Sequence, residues 1–263
     1  MRLRGENLVT LLLFVIGISI GSFLNVCIYR LPIGVPVFKV RSHCPQCKTP
    51  LKWFELIPLF SFFFLKRKCS NCKTKISRQY PVVEILSGVL LLLVVNREGI
   101  SFQSAAMLMF CYAMLVIFFT DWQHLVIPNE VLAVAGVVWL IIQLLNGLDN
   151  FAGSIVSMLV AVVAIASITF LGNFLFKKQT VGMGDIKLAG ILGLYLGWKI
   201  FLIVLWGAAI AGLLWGITAI TILRVQKDSR LPFGSFLAFA SIIAMFYRID
   251  IEIFLAQYLY GNF

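Results

Sequence analysis

The stretch "TVGMGDIKLAG", residues 180–190, places Asp185 where the chain turns into membrane-grade apolar sequence. A charged group near a bilayer centre costs roughly 2.5–3.5 kcal/mol even on lenient insertion scales, so its presence calls for a compensating role. A second carboxylate, Asp121, closes the apolar run "MLMFCYAMLVIFFTD". Either aspartate alone reads equally as a helix cap or an interface residue. Together they permit more. Two carboxylates about 4 Å apart repel by about 4 kcal/mol at an effective dielectric near 20, so such a pair shares one proton. That arrangement hydrolyses amides: the ionised member takes a proton from water and the protonated member gives one to the carbonyl oxygen. Gly182 and Gly184 lie just before Asp185 and let another chain approach closely. A helix starting there turns free N–H groups and a positive dipole end toward Asp185. Lys187, two residues on, falls about 200° around such a helix and is expected to point away and snorkel to the surface.

A second constellation is made of sulfur. Cys44, Cys47, Cys69 and Cys72 form two Cys-x-x-Cys pairs. Each short knuckle offers two thiolates to one metal, and four thiolates suit a closed tetrahedral structural zinc site that does no chemistry itself. His43 beside Cys44 is an alternative ligand; disulfides or a redox role are the other uses of such pairs. Cys27 and Cys111 sit in apolar segments and read as small buried residues.

These groups must be positioned by membrane helices. Of 263 residues 61% are hydrophobic and 13% charged, with a mean hydropathy of +0.99, which excludes an ordinary soluble domain. Eight segments are expected to be helical: Leu8–Ile28, Val82–Val95, Phe102–Thr120, Pro128–Leu145, Phe151–Phe176, Asp185–Trp198, Ile200–Leu223 and Phe233–Phe246. The basic, apolar N-terminus has the outline of a secretory signal, but its apolar run is long and "FLNVC" lacks small residues for processing, so a retained first helix is expected. Residues 30–80 carry eleven of the 22 Lys and Arg against one acid, Glu55, which makes this loop cytoplasmic. Lys177, Lys178, Arg224, Lys227 and Arg230 then share its side, and Arg2, Arg4, Arg97, Lys199 and Arg248 face the other. Asp121 and Asp185 fall at the same cytoplasmic level. The net charge of +11 reflects basic loops beside anionic lipid, and nucleic acid is not needed to explain it. "LIPLFSFFFL", Leu56–Leu65, is too short to span; it reads as part of the insert lying on the bilayer, or as a core strand or helix. Gly17-x-x-x-Gly21 and Gly193-x-x-x-Gly197 are small-residue faces suited to packing between helices of the chain, or to holding a helical substrate.

"GSFLNVCIYRLP" (21–32), "CPQC", "CSNC", "RQYPVVE" (78–84), the Asp121–Glu130 segment with its "IPNE", "GMGDIKL" (182–188) and "LPFGSFLA" (231–238) occur in order over almost the whole chain. In this the sequence resembles the bacterial type IV prepilin peptidases, membrane aspartic proteases of the Gly-x-Gly-Asp type. The resemblance implies an inner-membrane enzyme of two activities. It would cut the leader from prepilins or pseudopilins at the cytoplasmic face after a glycine, and N-methylate the new terminus with S-adenosylmethionine. It implies Asp121 and Asp185 as the catalytic dyad, supported by Gly182, Gly184, Lys187, Pro232 and Gly234, and zinc on Cys44, Cys47, Cys69 and Cys72. Gly21, Asn25, Arg30 and Glu84 are the candidates for methyl transfer; no dinucleotide-type glycine fingerprint is present. Two positions depart from the family pattern: "LKRKC" lacks a glycine in its middle basic position, and Ser235 stands where proline is frequent.

The expected architecture is therefore an all-α polytopic membrane protein of about eight transmembrane helices with a small zinc-stapled cytoplasmic insert between helices 1 and 2. Its parts would be a first helix (1–29), the four-cysteine insert (30–80) and a seven-helix membrane aspartic protease domain (81–263). The competing reading is a transporter or channel in which Asp121 and Asp185 relay ions and the insert regulates; it predicts polar groups near mid-bilayer. A zinc metalloprotease is less tenable, since His43 and His124 are the only histidines, no His-Glu-x-x-His exists and the four-cysteine site has no open position.

Overall fold

The computed structural model describes residues 2–38, 41–177, 182–222 and 231–260. Lys39, Lys178, Arg224, Lys227 and Arg230, assigned above to the cytoplasmic side, and Leu223, the end of one expected segment, lie outside them. Ten α-helices are described: α1 (Arg2–Arg30), α2 (Phe60–Phe64), α3 (Gln79–Glu98), α4 (Phe102–His124), α5 (Asn129–Leu145), α6 (Phe151–Phe176), α7 (Met183–Leu196), α8 (Trp198–Thr221), α9 (Phe233–Phe246) and α10 (Arg248–Tyr260). The described residues form no strand, only isolated bridges at His43–Pro50 and Lys68–Lys75.

All eight expected segments are helical. The helices α1, α3, α4, α6 and α8 are long and apolar enough to cross a membrane, and α5 and α9 are shorter apolar helices. The 14 residues of α7 rise roughly 21 Å, less than a bilayer core of about 30 Å. One boundary moves. Gly197, at φ +78°, ends α7 and immediately starts α8, so Trp198 opens the next helix instead of closing the previous one. Of the readings open for Leu56–Leu65 the structure takes the helical one, with α2 at Phe60–Phe64, whereas α10 was not expected, because Arg248, Asp250 and Glu252 break the apolar pattern that marks a span.

The chain divides into two compact units, Met1–Leu108 and Met109–Phe263. In the first, α1 and α3 pack at close range. A Cβ on Gly17 would stand 2.6 Å from the Gly88 Cα, and one on Gly21 2.7 Å from the Glu84 Cα, so the backbones touch where glycine permits it. The Ser87 hydroxyl seals the pair by donating to the Gly17 carbonyl (2.8 Å). The face Gly17-x-x-x-Gly21 is thus used within the chain. In the second unit α6 packs along α7: a Cβ on Gly193 would meet the Ser157 carbonyl at 2.6 Å and the Met158 Cα at 2.9 Å. The α8–α9 pair and α5 complete the surroundings of α7. Its Tyr195 hydroxyl donates to the Ala135 carbonyl of α5 (2.8 Å). The side chains of α6 and α8 leave broad apolar faces exposed, including Val163, Phe170, Phe174, Trp206, Leu213 and Leu214, as helices in contact with lipid require.

Candidate functional site

Asp121 lies in the last turn of α4 and Asp185 in the first turn of α7, both buried at 6% and 8% exposure. Their positions at helix ends come from the sequence: Leu125, at φ +55°, terminates α4, and Gly182 in extended conformation precedes α7. The two carboxylates are 64 residues apart in the chain, and Ile127 lies against a glycine beside each of them, Gly184 next to Asp185 and Gly234 next to the Asp121 carboxylate. The fold has brought them together at one end of their helices.

Each has its own set of donors. The Gly182 N–H donates to Asp185 Oδ2 at 3.0 Å, so Asp185 caps its own helix. Asp185 Oδ1 is buried and has no hydrogen-bond partner. On the other side, the Ser235 N–H donates to Asp121 Oδ2 at 2.7 Å. The Ser235 hydroxyl stands 3.2 Å from the same oxygen and 2.9 Å from the Phe118 carbonyl, and can donate to either. Proline at position 235 would supply neither donor. One carboxylate is therefore heavily solvated by protein, and the other has an oxygen in search of a proton or a water.

The glycines have assignable reasons. A Cβ on Gly234 would lie 3.0 Å from Asp121 Oδ2 and 2.8 Å from Ile127 Cδ1. A Cβ on Gly184 would lie 3.1 Å from the Ile127 Cβ. Ile127 is thus wedged between the two glycine motifs. Pro232 is buried and precedes the first turn of α9, which delivers Gly234 and Ser235 to Asp121. Lys187 is exposed, as expected, and its Nζ donates to Asn129 Oδ1 at 2.9 Å. This joins "IPNE" to "GMGDIKL", a link that sequence spacing could not show. His124 is exposed at the end of α4. Ser235 and Ile127 are the two members of this site that sequence reading passed over. The signal for Ser235 was a hydroxyl in an apolar helix start; for Ile127 there was none.

The four cysteine sulfurs all lie within 4.8 Å of one another, with Cys44–Cys72 at 3.8 Å and Cys47–Cys69 at 4.0 Å. A tetrahedron with metal–sulfur bonds of about 2.3 Å has edges of roughly 3.8 Å, so the donor set fits zinc. Two equivalent knuckles build it. Cys44 N–H donates to the Thr49 carbonyl and Cys69 N–H to that of Thr74, while Lys48 and Lys73, at φ +59° and +61°, turn each loop back. Thr49 and Thr74 hold the Cys47 and Cys72 thiols below the usual thiol range, Cys47 at about 6, which favours the metal-binding thiolate. His43 is not in the cluster; its Nδ1 is 3.0 Å from the Arg41 carbonyl. Cys111 is buried and Cys27 half-buried, both as free thiols.

In the same unit, Glu84 accepts the Leu59 N–H at 2.8 Å, tying the start of α2 to α3. Asn25 donates to the Tyr80 carbonyl at 3.0 Å, and its Oδ1 is buried without a partner. Arg30 donates to the Val37 carbonyl at 2.7 Å, and Gly21 is occupied by the α1–α3 crossing. Among the four methyl-transfer candidates, Asn25 thus has a fully buried oxygen without a hydrogen-bond partner.

The described residues, helical and largely apolar, with a buried pair of carboxylates and a four-thiolate cluster, define the class: a multi-pass membrane protein. Residues 15–97 match the "Bacterial Peptidase A24 N-terminal domain" and residues 108–217 the "Type IV leader peptidase family". The chain belongs to the type IV leader peptidase family. It is 30% identical over 257 residues to the prepilin leader peptidase/N-methyltransferase of Stutzerimonas stutzeri, with 88% of each chain covered. Identity to the Bacillus subtilis (strain 168) protein of the same name is 31% over 239 residues, covering 90% of this chain and 93% of that one. The Myxococcus xanthus relative, also so named, is 32% identical over 205 residues; the match covers 78% of this chain and 61% of that protein. No solved structure matches the chain.

Proposed function

We propose that this protein is an aspartic endopeptidase that removes the leader of type IV prepilins or pseudopilins at the cytoplasmic face of the inner membrane, after a glycine, and N-methylates the new terminus. The observation that carries the proteolytic reading is the pair of buried carboxylates, Asp121 and Asp185, held by N–H donors at the starts of two different helices, Ser235 in α9 and Gly182 just before α7. Peptide bonds inside helices are shielded, so the substrate presents an extended segment, and the glycines Gly182 and Gly184 at the start of α7 let its backbone approach Asp185 closely. Water between the carboxylates loses a proton to the ionised member as its oxygen attacks the carbonyl carbon. The protonated member gives its proton to the carbonyl oxygen. The tetrahedral diol then collapses: the carboxyl that took the proton gives it to the departing amine as the C–N bond breaks, and the other carboxylate takes back a proton from a diol hydroxyl as the product carbonyl re-forms, which restores the pair. No covalent enzyme intermediate forms.

Zinc would be held by Cys44, Cys47, Cys69 and Cys72 and would fold the insert, which is too small to bury a sufficient core alone. S-adenosylmethionine would supply the methyl group; Asn25, whose Oδ1 lacks a partner, is the best-placed residue to bind it or the amine, with Glu84, Arg30 and Gly21 shaping the region around it. The basic insert faces the cytoplasm by its lysine and arginine excess. Transport or ion conduction is disfavoured because both aspartates sit at helix ends and not at mid-span. The test is cleavage of a prepilin by purified enzyme in detergent. Asp121→Asn and Asp185→Asn each abolish cleavage, while methyl transfer to a pre-cut peptide persists. Full cleavage by either variant would end the dyad assignment.

A further inference from the structure

We propose that Ile127 determines which residue can precede the cut, by filling the space beside the dyad that a side chain at that position would need. The inference rests on the dyad reading above and adds to it a specificity residue.

Ile127 lies in the short connection between α4 and α5, half-buried. Its Cδ1 and Asp121 Oδ2 both lie within 3.0 Å of the single point where a Cβ on Gly234 would stand. Its Cβ, Cγ1 and Cδ1 all lie within 3.4 Å of the corresponding point at Gly184, the residue just before Asp185. The side chain therefore lies against both backbones that bring the dyad together. It has little room to withdraw. The Leu125 N–H donates to the Asp121 carbonyl (2.9 Å) on one side, and Asn129 accepts Lys187 Nζ on the other. A β-branched side chain is also stiff at its first torsion.

A scissile carbonyl must come between the carboxylates to react. The side chain of the residue before the cut branches one bond from that carbonyl carbon, so its Cβ would enter the volume that Ile127 occupies. A residue with hydrogen in place of Cβ passes. Selection by exclusion of one methyl group is worth about 1–3 kcal/mol in a well-packed pocket, or about 10–200-fold in kcat/KM.

The test uses full-length enzyme in detergent and three prepilin substrates that differ only in glycine, alanine or valine before the cut. For wild type, the alanine-to-glycine ratio of kcat/KM is expected to be low. Ile127→Ala should raise it at least tenfold, Ile127→Val should raise it by a smaller factor, and the volume-conserving Ile127→Leu should leave it within about twofold. The valine variant keeps most of the packing and serves if the alanine variant does not fold. An unchanged ratio in Ile127→Ala or Ile127→Val, including an equal loss on all three substrates, overturns the proposal and shows a packing role only. Cleavage by Asp121→Asn would instead overturn the dyad reading, whatever the ratios.

Discussion

At the scale of single residues, the site depends on donors and absences around Asp121. Ser235 gives its carboxylate two contacts, the N–H at 2.7 Å and the hydroxyl at 3.2 Å. A hydrogen bond to a charged group is worth about 1.5–3 kcal/mol, and Ser235→Ala removes only the hydroxyl, which is shared with the Phe118 carbonyl. The expected outcome is a fall in kcat of about tenfold with KM within about twofold, because the carboxylate loses orientation and substrate binding surface is untouched; Ser235→Thr should restore most of the rate. Gly234→Ala should be harsher. Its Cβ would press on Ile127 Cδ1 at 2.8 Å and on Asp121 Oδ2 at 3.0 Å, so cleavage should drop at least 100-fold and the unfolding temperature in detergent should fall with the overpacking. The aspartates were readable as candidates only as a pair, since either alone fits a helix cap or an interface residue. Ser235 was visible as a residue, but its value was not, because its partner lies 114 positions away. Ile127 was invisible for a simpler reason: an isoleucine in an apolar chain carries no chemical signal.

At the scale of elements, glycine sets how closely helices approach. The α1–α3 crossing has backbone atoms where Cβ atoms at Gly17 and Gly21 would be, so Gly17→Leu forces the helices apart and breaks the Ser87 bond to the Gly17 carbonyl. Overpacking of this kind costs about 1–3 kcal/mol, occasionally more. The measurable result is a lowered unfolding temperature in detergent, and methyl transfer should fall with it if Asn25 and Glu84, on the same two helices, serve that activity. The eight apolar segments were readable because membrane helices must satisfy their backbone internally and so advertise themselves as long apolar runs. Where that signal fades, prediction failed in proportion. The five residues of α2 are too few to show a period, so the segment stayed open between strand and helix, and in α10 the charges of Arg248, Asp250 and Glu252 interrupt the apolar run, with Arg248 and Glu252 pairing at 3.0 Å on its surface. The Gly197 boundary required φ, which sequence does not give.

At the scale of the whole chain, the two constellations fall in different compact units. All four cysteines, with Asn25 and Glu84, belong to Met1–Leu108, and both aspartates to Met109–Phe263. The hydrogen bonds that hold Asp121 and Asp185 come from Ser235 and Gly182, all within the second unit, so nothing in the dyad's own geometry draws on the thiol cluster. The insert, by contrast, has few other means of staying folded. Among its described residues Phe62 is the one buried aromatic, Phe60, Phe63 and Phe64 are exposed, and its ties to the helices include the Leu59–Glu84 bond and the stacking of Phe38 on Phe23. Loss of one sulfur should therefore have a divided effect. Cys44→Ser is expected to lose the bound zinc, measured by metal analysis of the purified protein, and to make residues 44–72 much more sensitive to limited proteolysis. Methyl transfer should fall by an order of magnitude or more, whereas cleavage of a prepilin should fall far less. A matching loss of both activities would mean that the cluster supports the dyad through contacts beyond its own hydrogen bonds, and undiminished zinc in the variant would remove the four-thiolate assignment altogether.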